Sequence, residues 1–238
     1  MLQYRPLLFQ TKEVVIVTNI SDRRHWVVDQ SGKKVRVPGV STIVGRFGNA
    51  GGLIHWAWEN GYNGLTLDEA RIKACTIGST AHALVEAHAK GLDKPDISAL
   101  PEEIKEGAEV SYANYLDWAD RYKFEAIDSE IKLSSSDYLF GGRRDISGIV
   151  DGKRALIEIK TSNKLYEKDL LQAAAYCHLQ KENNPDDPFE VVVMLRISKE
   201  STVFATVNHT VDSLAPAWDA FLNELANYRL EKKLSKLL

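Results

Sequence analysis

The sequence predicts an α/β fold in which a mixed central β-sheet is flanked by helices. Helical periodicity dominates the first half of the chain, whereas the second half follows the order β-β-β-α-β-β-α. An Asp-Gly pair between two of these strands is a strong signal for a two-residue hairpin turn. Of the 238 residues, 44% are apolar and 26% are charged, which suffices for a sizeable core. We therefore expect one domain over residues 1–238.

The N-terminal part, residues 1–124, is expected to combine a short β-hairpin region with helices. Alternating apolar residues predict strands at 13–19, 25–30 and 33–37, with Ser31-Gly32 as a turn between the last two. Four glycines in the segment 45–52 interrupt the chain before a short helix. A longer helix is predicted over 66–90, with Thr66 as its N-cap and Gly78 as a point of division. Another helix follows Pro101.

The sheet core is expected over residues 125–210, and the C-terminal helix over 211–238. Apolar or alternating segments predict strands at 124–133, 138–150, 154–161, 189–197 and 201–209. Asp151-Gly152 joins the second and third of these strands, and a helix over 167–182 connects the third to the fourth. In the tail, apolar residues recur at helical spacing from Trp218 to Tyr228.

Composition and charge exclude several classes of protein. No apolar run approaches the roughly 20 residues of a membrane span, and the start lacks the apolar core of a signal peptide, so we expect a cytoplasmic protein without a membrane partner. Cys75 and Cys177 are far apart, which argues against a disulfide or zinc site and for buried thiols. The net charge is −3, yet residues 143–168 carry seven basic side chains against four acidic ones. This local excess could attract phosphates.

The predicted hairpin brings two carboxylates together. Two strands folded at Asp151-Gly152 pair residues whose numbers add to about 303, which places Asp145 opposite Glu158. Lys160 lies two residues beyond Glu158 and therefore points to the same face. Paired carboxylates suit Mg²⁺ or Mn²⁺, and the lysine can position or help to deprotonate a water molecule beside a phosphodiester. Asp151 is a rival to Asp145, although turn aspartates are commonly structural.

These residues, in the segments GGRRD and LIEIK, resemble the PD-(D/E)XK nuclease superfamily, and within it the RecB-like exonucleases. The resemblance spans roughly residues 38–176 and implies a restriction-endonuclease-like core. It implies that Asp145, Glu158 and the Ile159 carbonyl hold the metal ion. Gln172 and Tyr176 match the QxxxY signature of this branch, which implies contacts with the DNA backbone. Arg143, Arg144 and Lys164 are the expected basic contacts with DNA.

A helical motif upstream resembles the same family. His82 follows Gly78 by one turn, and the resemblance implies that it is a further metal ligand. Glu86, one turn later, could orient the second ring nitrogen of His82. His55 and His88 are neighbouring competitors. Glu130 is a weaker candidate, for which an exposed surface position is expected.

The resemblance implies a divalent-metal-dependent DNA exonuclease of phage or bacterial recombination, repair or degradation. The four cysteines of iron–sulfur relatives are absent from the sequence, so no iron–sulfur cluster is expected. The sequence also has no Walker A motif, so no nucleotide cofactor is expected. A structure-specific or restriction-type endonuclease and a non-catalytic subunit that binds DNA ends remain as alternatives. The expected partner is DNA, and a homo-oligomer or a recombination or replication protein is left open as a further partner.

Overall fold

A computed structural model describes residues 24–29, 31–48 and 50–238, without the side chains of residues 50 and 51. It begins with an antiparallel hairpin, in which strand β1 (His25–Val28) pairs with strand β2 (Lys34–Val37). Gly32 lies in the turn with a φ of +80°, a conformation that glycine adopts without strain. The predicted turn at Ser31-Gly32 is therefore confirmed. The strand predicted at 13–19 lies outside the described residues.

Four helices follow the hairpin: α1 (Val40–Val44), α2 (Ala50–Tyr62), α3 (Leu67–Ala89) and α4 (Glu102–Arg121). Helix α3 begins as predicted, because the Thr66 hydroxyl accepts from the Glu69 N–H and the Glu69 carboxylate accepts from the Thr66 N–H. Gly91, with a φ of +63°, follows its end. The predicted division at Gly78 is wrong, since α3 continues through that residue.

Among the described residues, the main sheet has five strands in sequential order: β3 (Glu125–Ser135), β4 (Phe140–Val150), β5 (Lys153–Lys160), β6 (Val191–Ile197) and β7 (Phe204–Thr210). Neighbouring strands are antiparallel except β5 and β6, which are parallel and connected by helix α5 (Glu167–Asn183). Helix α6 (Ala215–Leu234) follows β7 along the chain. The prediction of an α/β fold with a mixed sheet and flanking helices is confirmed.

The hairpin between β4 and β5 has the predicted register. Ile146 pairs with Ile157, and the ladder runs without a shift to Val150 and Lys153. Asp151 and Gly152 form the turn with φ angles of +50° and +76°. Two consecutive positive φ angles are typical of the type I′ turn, whose twist matches that of the flanking strands.

Helices cover both faces of the sheet. On one face, α1, α5 and α6 enclose a core that includes Leu156, Met194 and Phe221. On the other face, Tyr115 and Trp118 of α4 pack against Ile157. Because successive strand residues point to opposite faces, Leu156 and Ile157 belong to different cores. The end of β5 is thus enclosed between helical layers.

Two observations bear on the composition-based expectations. Cys177 is buried on α5, as expected, but Cys75 is exposed, so the expectation of two buried thiols is wrong for Cys75. Cys75 lies on α3 and is not among the buried residues of that helix. Among the described residues, no helix combines the length and the apolar character needed to cross a membrane.

Candidate active site

The candidate site lies where β4 and β5 separate. Asp145 is one residue beyond Ile146, whose pairing with Ile157 is the last in the ladder between these strands. The Asp145 carboxylate accepts a hydrogen bond from the Ile159 N–H, with an Oδ2–N distance of 2.8 Å. A side chain thus replaces the next backbone contact of the ladder and remains fixed between the two strands.

Three side chains from different elements converge beside this separation. His82 on α3, Glu130 on β3 and Asp145 on β4 each offer one ligand atom, and these atoms lie within 4.8 Å of one another. The His82 Nδ1 lies 3.5 Å from Asp145 Oδ1. An imidazole and two carboxylates are ligands that Mn²⁺ and related divalent ions accept. We refer to these three residues as the acidic cluster.

Glu130 is closer to this site than the sequence led us to expect. Its side chain is only 12% exposed, so the expectation of an exposed surface glutamate is wrong. Ser129 pairs with Ile146 and Ile131 pairs with Arg144, which places Glu130 opposite Asp145 in the register of β3 and β4. The connection between β3 and β4 spans four residues and carries no two-residue turn signal, so the pairing of Glu130 with Asp145 could not be predicted as that of Glu158 was.

The pKa values of the ionisable side chains in the site are shifted by burial and by their neighbours. Burial raises the pKa of Glu130 to about 7 and that of Glu158 to about 8, and the nearby Asp145 carboxylate adds to both shifts. Burial opposes ionisation of His82 and Asp145 as well, but their mutual attraction prevails. The pKa of His82 is raised to about 8, and the pKa of Asp145 is lowered. Neighbouring carboxylates of this kind favour a bound cation.

Lys160 is fixed by a chain of hydrogen bonds on the α5 side of the sheet. Its Nζ donates to Glu158 Oε1 at 2.7 Å and to Gln172 Oε1 at 3.0 Å. Gln172 Nε2 in turn donates to the Tyr176 hydroxyl at 3.2 Å. Lys160 and Glu158 therefore lie on one face, as their spacing predicts.

Lys160 is an ammonium in this arrangement. Burial disfavours its charge, but the carboxylates of Glu158, Asp145 and Asp169 raise its pKa to about 12. A protonated lysine donates hydrogen bonds and balances negative charge, but it cannot accept a proton. The geometry therefore favours positioning of water and stabilisation of a charged phosphate over proton abstraction.

Glu158 leaves one oxygen for a further contact. Its side chain is fully buried, and Oε2 has no hydrogen-bond partner among the described residues. A buried carboxylate oxygen without a partner is costly, and a cation would satisfy it. Glu158 is not within the 4.8 Å group formed by His82, Glu130 and Asp145.

Gln172 and Tyr176 face the interior of the site. Tyr176 is buried, and a β-carbon added to Gly142 would lie 2.5 Å from its ring. The absence of a side chain at Gly142 thus allows the ring to lie against β4. In this conformation both α5 residues support Lys160, whereas the resemblance implies contacts with the DNA backbone.

The three basic residues expected to contact DNA lie in different environments. Arg144 is buried at 2% exposure and forms an ion pair with Asp128, so it cannot reach a DNA backbone and is removed from the expected contacts. Arg143 is partly exposed, and its Nε lies 2.6 Å from Glu130 Oε2. Lys164 is exposed in the loop that follows β5.

The remaining candidates are not members of the acidic cluster. Glu86 forms an ion pair with Lys90 and also adds to the raised pKa of Glu130, so it lies near the cluster, and its role in orienting His82 stays a prediction. His88 packs against Tyr115, and His55 on α2 lies 3.5 Å from Glu59. Asp151 is exposed in the turn at the far end of β5, roughly 20 Å along the strand from Glu158. The structure thus favours Asp145 over Asp151.

Gly78 has a packing role that explains its place in the histidine motif. A β-carbon at this position would lie 3.0 Å from the Thr161 hydroxyl, directly after the end of β5. The glycine lets α3 approach the strand that carries Lys160. It thereby brings His82, one turn further along α3, to the acidic cluster.

No protein-family model and no curated protein sequence matches the chain. Similar solved structures include a protein of Eubacterium rectale described as a "putative exonuclease", with 12% identity and a TM-score of 0.46. The alignment covers 65% of each chain, so this protein spans just under two thirds of that relative. The alkaline exonuclease of Laribacter hongkongensis, in complex with dAMP, has 15% identity and a TM-score of 0.33, with 70% of this chain and 92% of that chain covered. At these values the likeness does not bear on the activity of this chain.

Proposed function

We propose that the protein is a divalent-metal-dependent nuclease that hydrolyses phosphodiester bonds of DNA. The observation that carries the proposal is the convergence of the acidic cluster with Glu158 and Lys160 at the end of β5. The site buries, wholly or in part, four acidic or imidazole side chains, one ammonium and a carboxylate oxygen without a partner among the described residues. Burial of such groups destabilises a fold. Such arrangements are typical of sites that bind a cation and a charged substrate.

The proposed ligands of the metal ion are His82, Glu130 and Asp145, together with Glu158 and the Ile159 carbonyl that the family resemblance implies. Mg²⁺ or Mn²⁺ would supply Lewis-acid stabilisation of the phosphate and a water molecule of lowered pKa. Lys160 holds its ammonium beside these ligands, where it can orient the water molecule and balance charge on the phosphate. Gln172 keeps the ammonium in place.

We infer an exonuclease that acts on DNA ends in the cytoplasm, with a role in recombination, repair or degradation of phage or bacterial DNA. The exposed Lys164 and Lys168, in the loop after β5 and the first turn of α5, support an anionic polymer as substrate. Asp145, Glu158 and Lys160, the residues that the resemblance implies for cleavage, are all present in the chain. Their presence argues against a purely structural DNA-binding subunit.

Digestion of DNA labelled at one end tests the proposal. Single-stranded, double-stranded and covalently closed circular DNA are incubated with Mg²⁺, Mn²⁺ or EDTA. We expect cleavage of the linear substrates only, with loss of activity in EDTA and in Lys160→Ala. Lys153→Ala, an exposed lysine at the other end of β5, is the matched control and should cleave like the wild type. Cleavage of the closed circle would instead identify an endonuclease, and DNA binding without any cleavage would identify a non-catalytic subunit.

A further inference from the structure

A cleft of about 830 Å³ lies beside the candidate active site. One wall is formed by the glycine-rich turn after α1 and the first part of α2, and the other by the loop after β5 and the start of α5. Three aromatic and three cationic side chains line it: Phe47, Trp56, Tyr166, Arg46, Lys164 and Lys168. Two carboxylates, Glu59 and Glu167, also contribute. The acidic cluster and Lys160 are not part of its lining.

Tyr166 is more exposed than the other two aromatic residues named above, Phe47 and Trp56. It is 39% exposed, and the ammonium groups of Lys164 and Lys168 lie 5.1 Å and 5.5 Å from the centre of its ring. Neither lysine forms an ion pair with a carboxylate among the described residues, in contrast to Arg46, which pairs with Glu231. Both ammonium groups lie over the ring, so a base that stacks on Tyr166 takes the place of a lysine, which can then contact the adjoining phosphate.

Tyr166 is linked to Lys160 through one buried carboxylate. The Tyr166 N–H donates to Asp169 Oδ2 at 2.9 Å, and Lys160 Nζ lies 3.8 Å from Asp169 Oδ1. The Ser162 hydroxyl donates to the Lys164 carbonyl at 2.8 Å, which fixes the loop between them. Tyr166 in the cleft and Lys160 in the site are therefore six residues apart in the chain, and both contact the Asp169 carboxylate.

We propose that this cleft binds a single-stranded segment of DNA next to the bond that is cut, with a base stacked on Tyr166 and two phosphates on Lys164 and Lys168. The proposal rests on the nuclease function proposed above, and it assigns single-stranded DNA, or the unpaired end of a duplex, as the substrate. The volume is that of a small-molecule site, which accommodates a few nucleotides. It cannot enclose a double helix, whose major groove alone is about 12 Å wide.

Binding measured in EDTA tests the cleft independently of cleavage. The probe is a fluorescently labelled 12-nucleotide oligo(dT), compared with a 12-base-pair duplex by fluorescence anisotropy. We expect Tyr166→Ala to weaken binding of the single strand about 5- to 150-fold, as expected for the loss of one stacked base. Tyr166→Phe keeps the ring and should bind like the wild type. Tyr62→Ala, an exposed tyrosine on α2 outside the cleft, is the matched control.

The two lysines are tested by salt dependence. In Lys164→Ala/Lys168→Ala, the slope of log K against log salt should fall in magnitude by about 1.4, which corresponds to two phosphate contacts on a single strand. Lys153→Ala/Lys181→Ala removes two exposed lysines at the opposite ends of β5 and α5, and its slope should equal that of the wild type.

The outcomes separate this proposal from the nuclease proposal. Wild-type affinity in Tyr166→Ala, equal loss in Tyr62→Ala, or equally tight binding of the duplex would overturn the cleft proposal, even if the protein cleaves DNA. If the protein cleaves nothing but the Tyr166 and lysine variants lose single-strand binding as expected, the cleft stands and the nuclease function fails.

Discussion

The ammonium of Lys160 donates a hydrogen bond to Gln172 Oε1 at 3.0 Å, and this contact joins the end of β5 to helix α5. Without it, the Lys160 ammonium would still contact Glu158 and lie 3.8 Å from Asp169 Oδ1, but it would lose its hydrogen bond to α5. Residues that hold a reacting group in place can change rates strongly without contacting the substrate. We therefore propose Gln172 as a positioning residue for Lys160.

Gln172→Met should reduce the rate of cleavage while DNA affinity stays unchanged. Methionine keeps the length of the side chain but removes the acceptor of a charged hydrogen bond, which is worth roughly 1.5–3 kcal/mol. We expect a single-turnover rate about 10- to 150-fold below wild type. Tyr176→Phe removes only the hydroxyl that Gln172 contacts, and its effect should be smaller. Weakened DNA binding with an unchanged rate would show that Gln172 contacts DNA instead.

His82→Ala and Glu130→Gln should each weaken Mn²⁺ binding, because each removes a ligand from the acidic cluster. Isothermal titration calorimetry of the protein with MnCl₂ should show a loss of at least about tenfold in affinity for either variant. Glu109→Gln is the matched control, since Glu109 lies on α4 and forms an exposed ion pair with Lys94. Unchanged Mn²⁺ affinity in Glu130→Gln would remove Glu130 from the ligand set.

The strands and turns of this fold could be predicted because their signals are local. Asp151-Gly152 dictates a two-residue turn, and the turn alone sets the pairing of Ile146 with Ile157. The continuity of α3 at Gly78 could not be predicted in this way. A glycine weakens a helix, but here it allows close packing against Thr161, and that contact comes from a distant part of the chain.

In the site, too, only the residues with local signals could be predicted. Asp145, Glu158 and Lys160 follow from one hairpin and the alternation of side chains along β5. The surroundings of Arg144 and Glu130 depend on how β3 pairs with β4 and on which face is covered, and the sequence does not show either. We therefore expected Arg144 to contact DNA and Glu130 to be exposed to solvent, and both expectations are wrong. Both are enclosed in the structure, at 2% and 12% exposure.

Gly142→Ala should destabilise the fold. The added β-carbon would lie 2.5 Å from Tyr176 Cε1 and 2.9 Å from Val40 Cγ2, so the ring or the strand must shift. Overpacking of this kind costs about 1–3 kcal/mol of the free energy of unfolding, measured by urea denaturation. Gly61→Ala is the control, because its β-carbon would meet nothing within 4 Å and it lies in α2. That variant should be neutral or more stable by up to about 1 kcal/mol. Equal stability of the two variants would contradict the packing of Tyr176 against β4.

Asp128→Asn should destabilise the fold and leave DNA affinity unchanged, because Asp128 neutralises the buried Arg144. An uncompensated buried charge costs about 3–5 kcal/mol, and asparagine recovers part of this through hydrogen bonding. Burial opposes the ionisation of Asp128, but its bonds with Arg144 and Ser147 lower its pKa below 3.8. The carboxylate thus contributes stability above its unfolded pKa and loses it as pH falls through the lower folded pKa. Urea denaturation should therefore show a large difference in the free energy of unfolding between wild type and variant at pH 7, and this difference should narrow below about pH 4.

The control is Asp117→Asn, which removes an exposed ion pair with Arg121 and should cost less than about 1 kcal/mol of the free energy of unfolding. A pH-independent gap, or a loss in Asp117→Asn as large as that in Asp128→Asn, would show that the buried ion pair does not stabilise this face of the sheet.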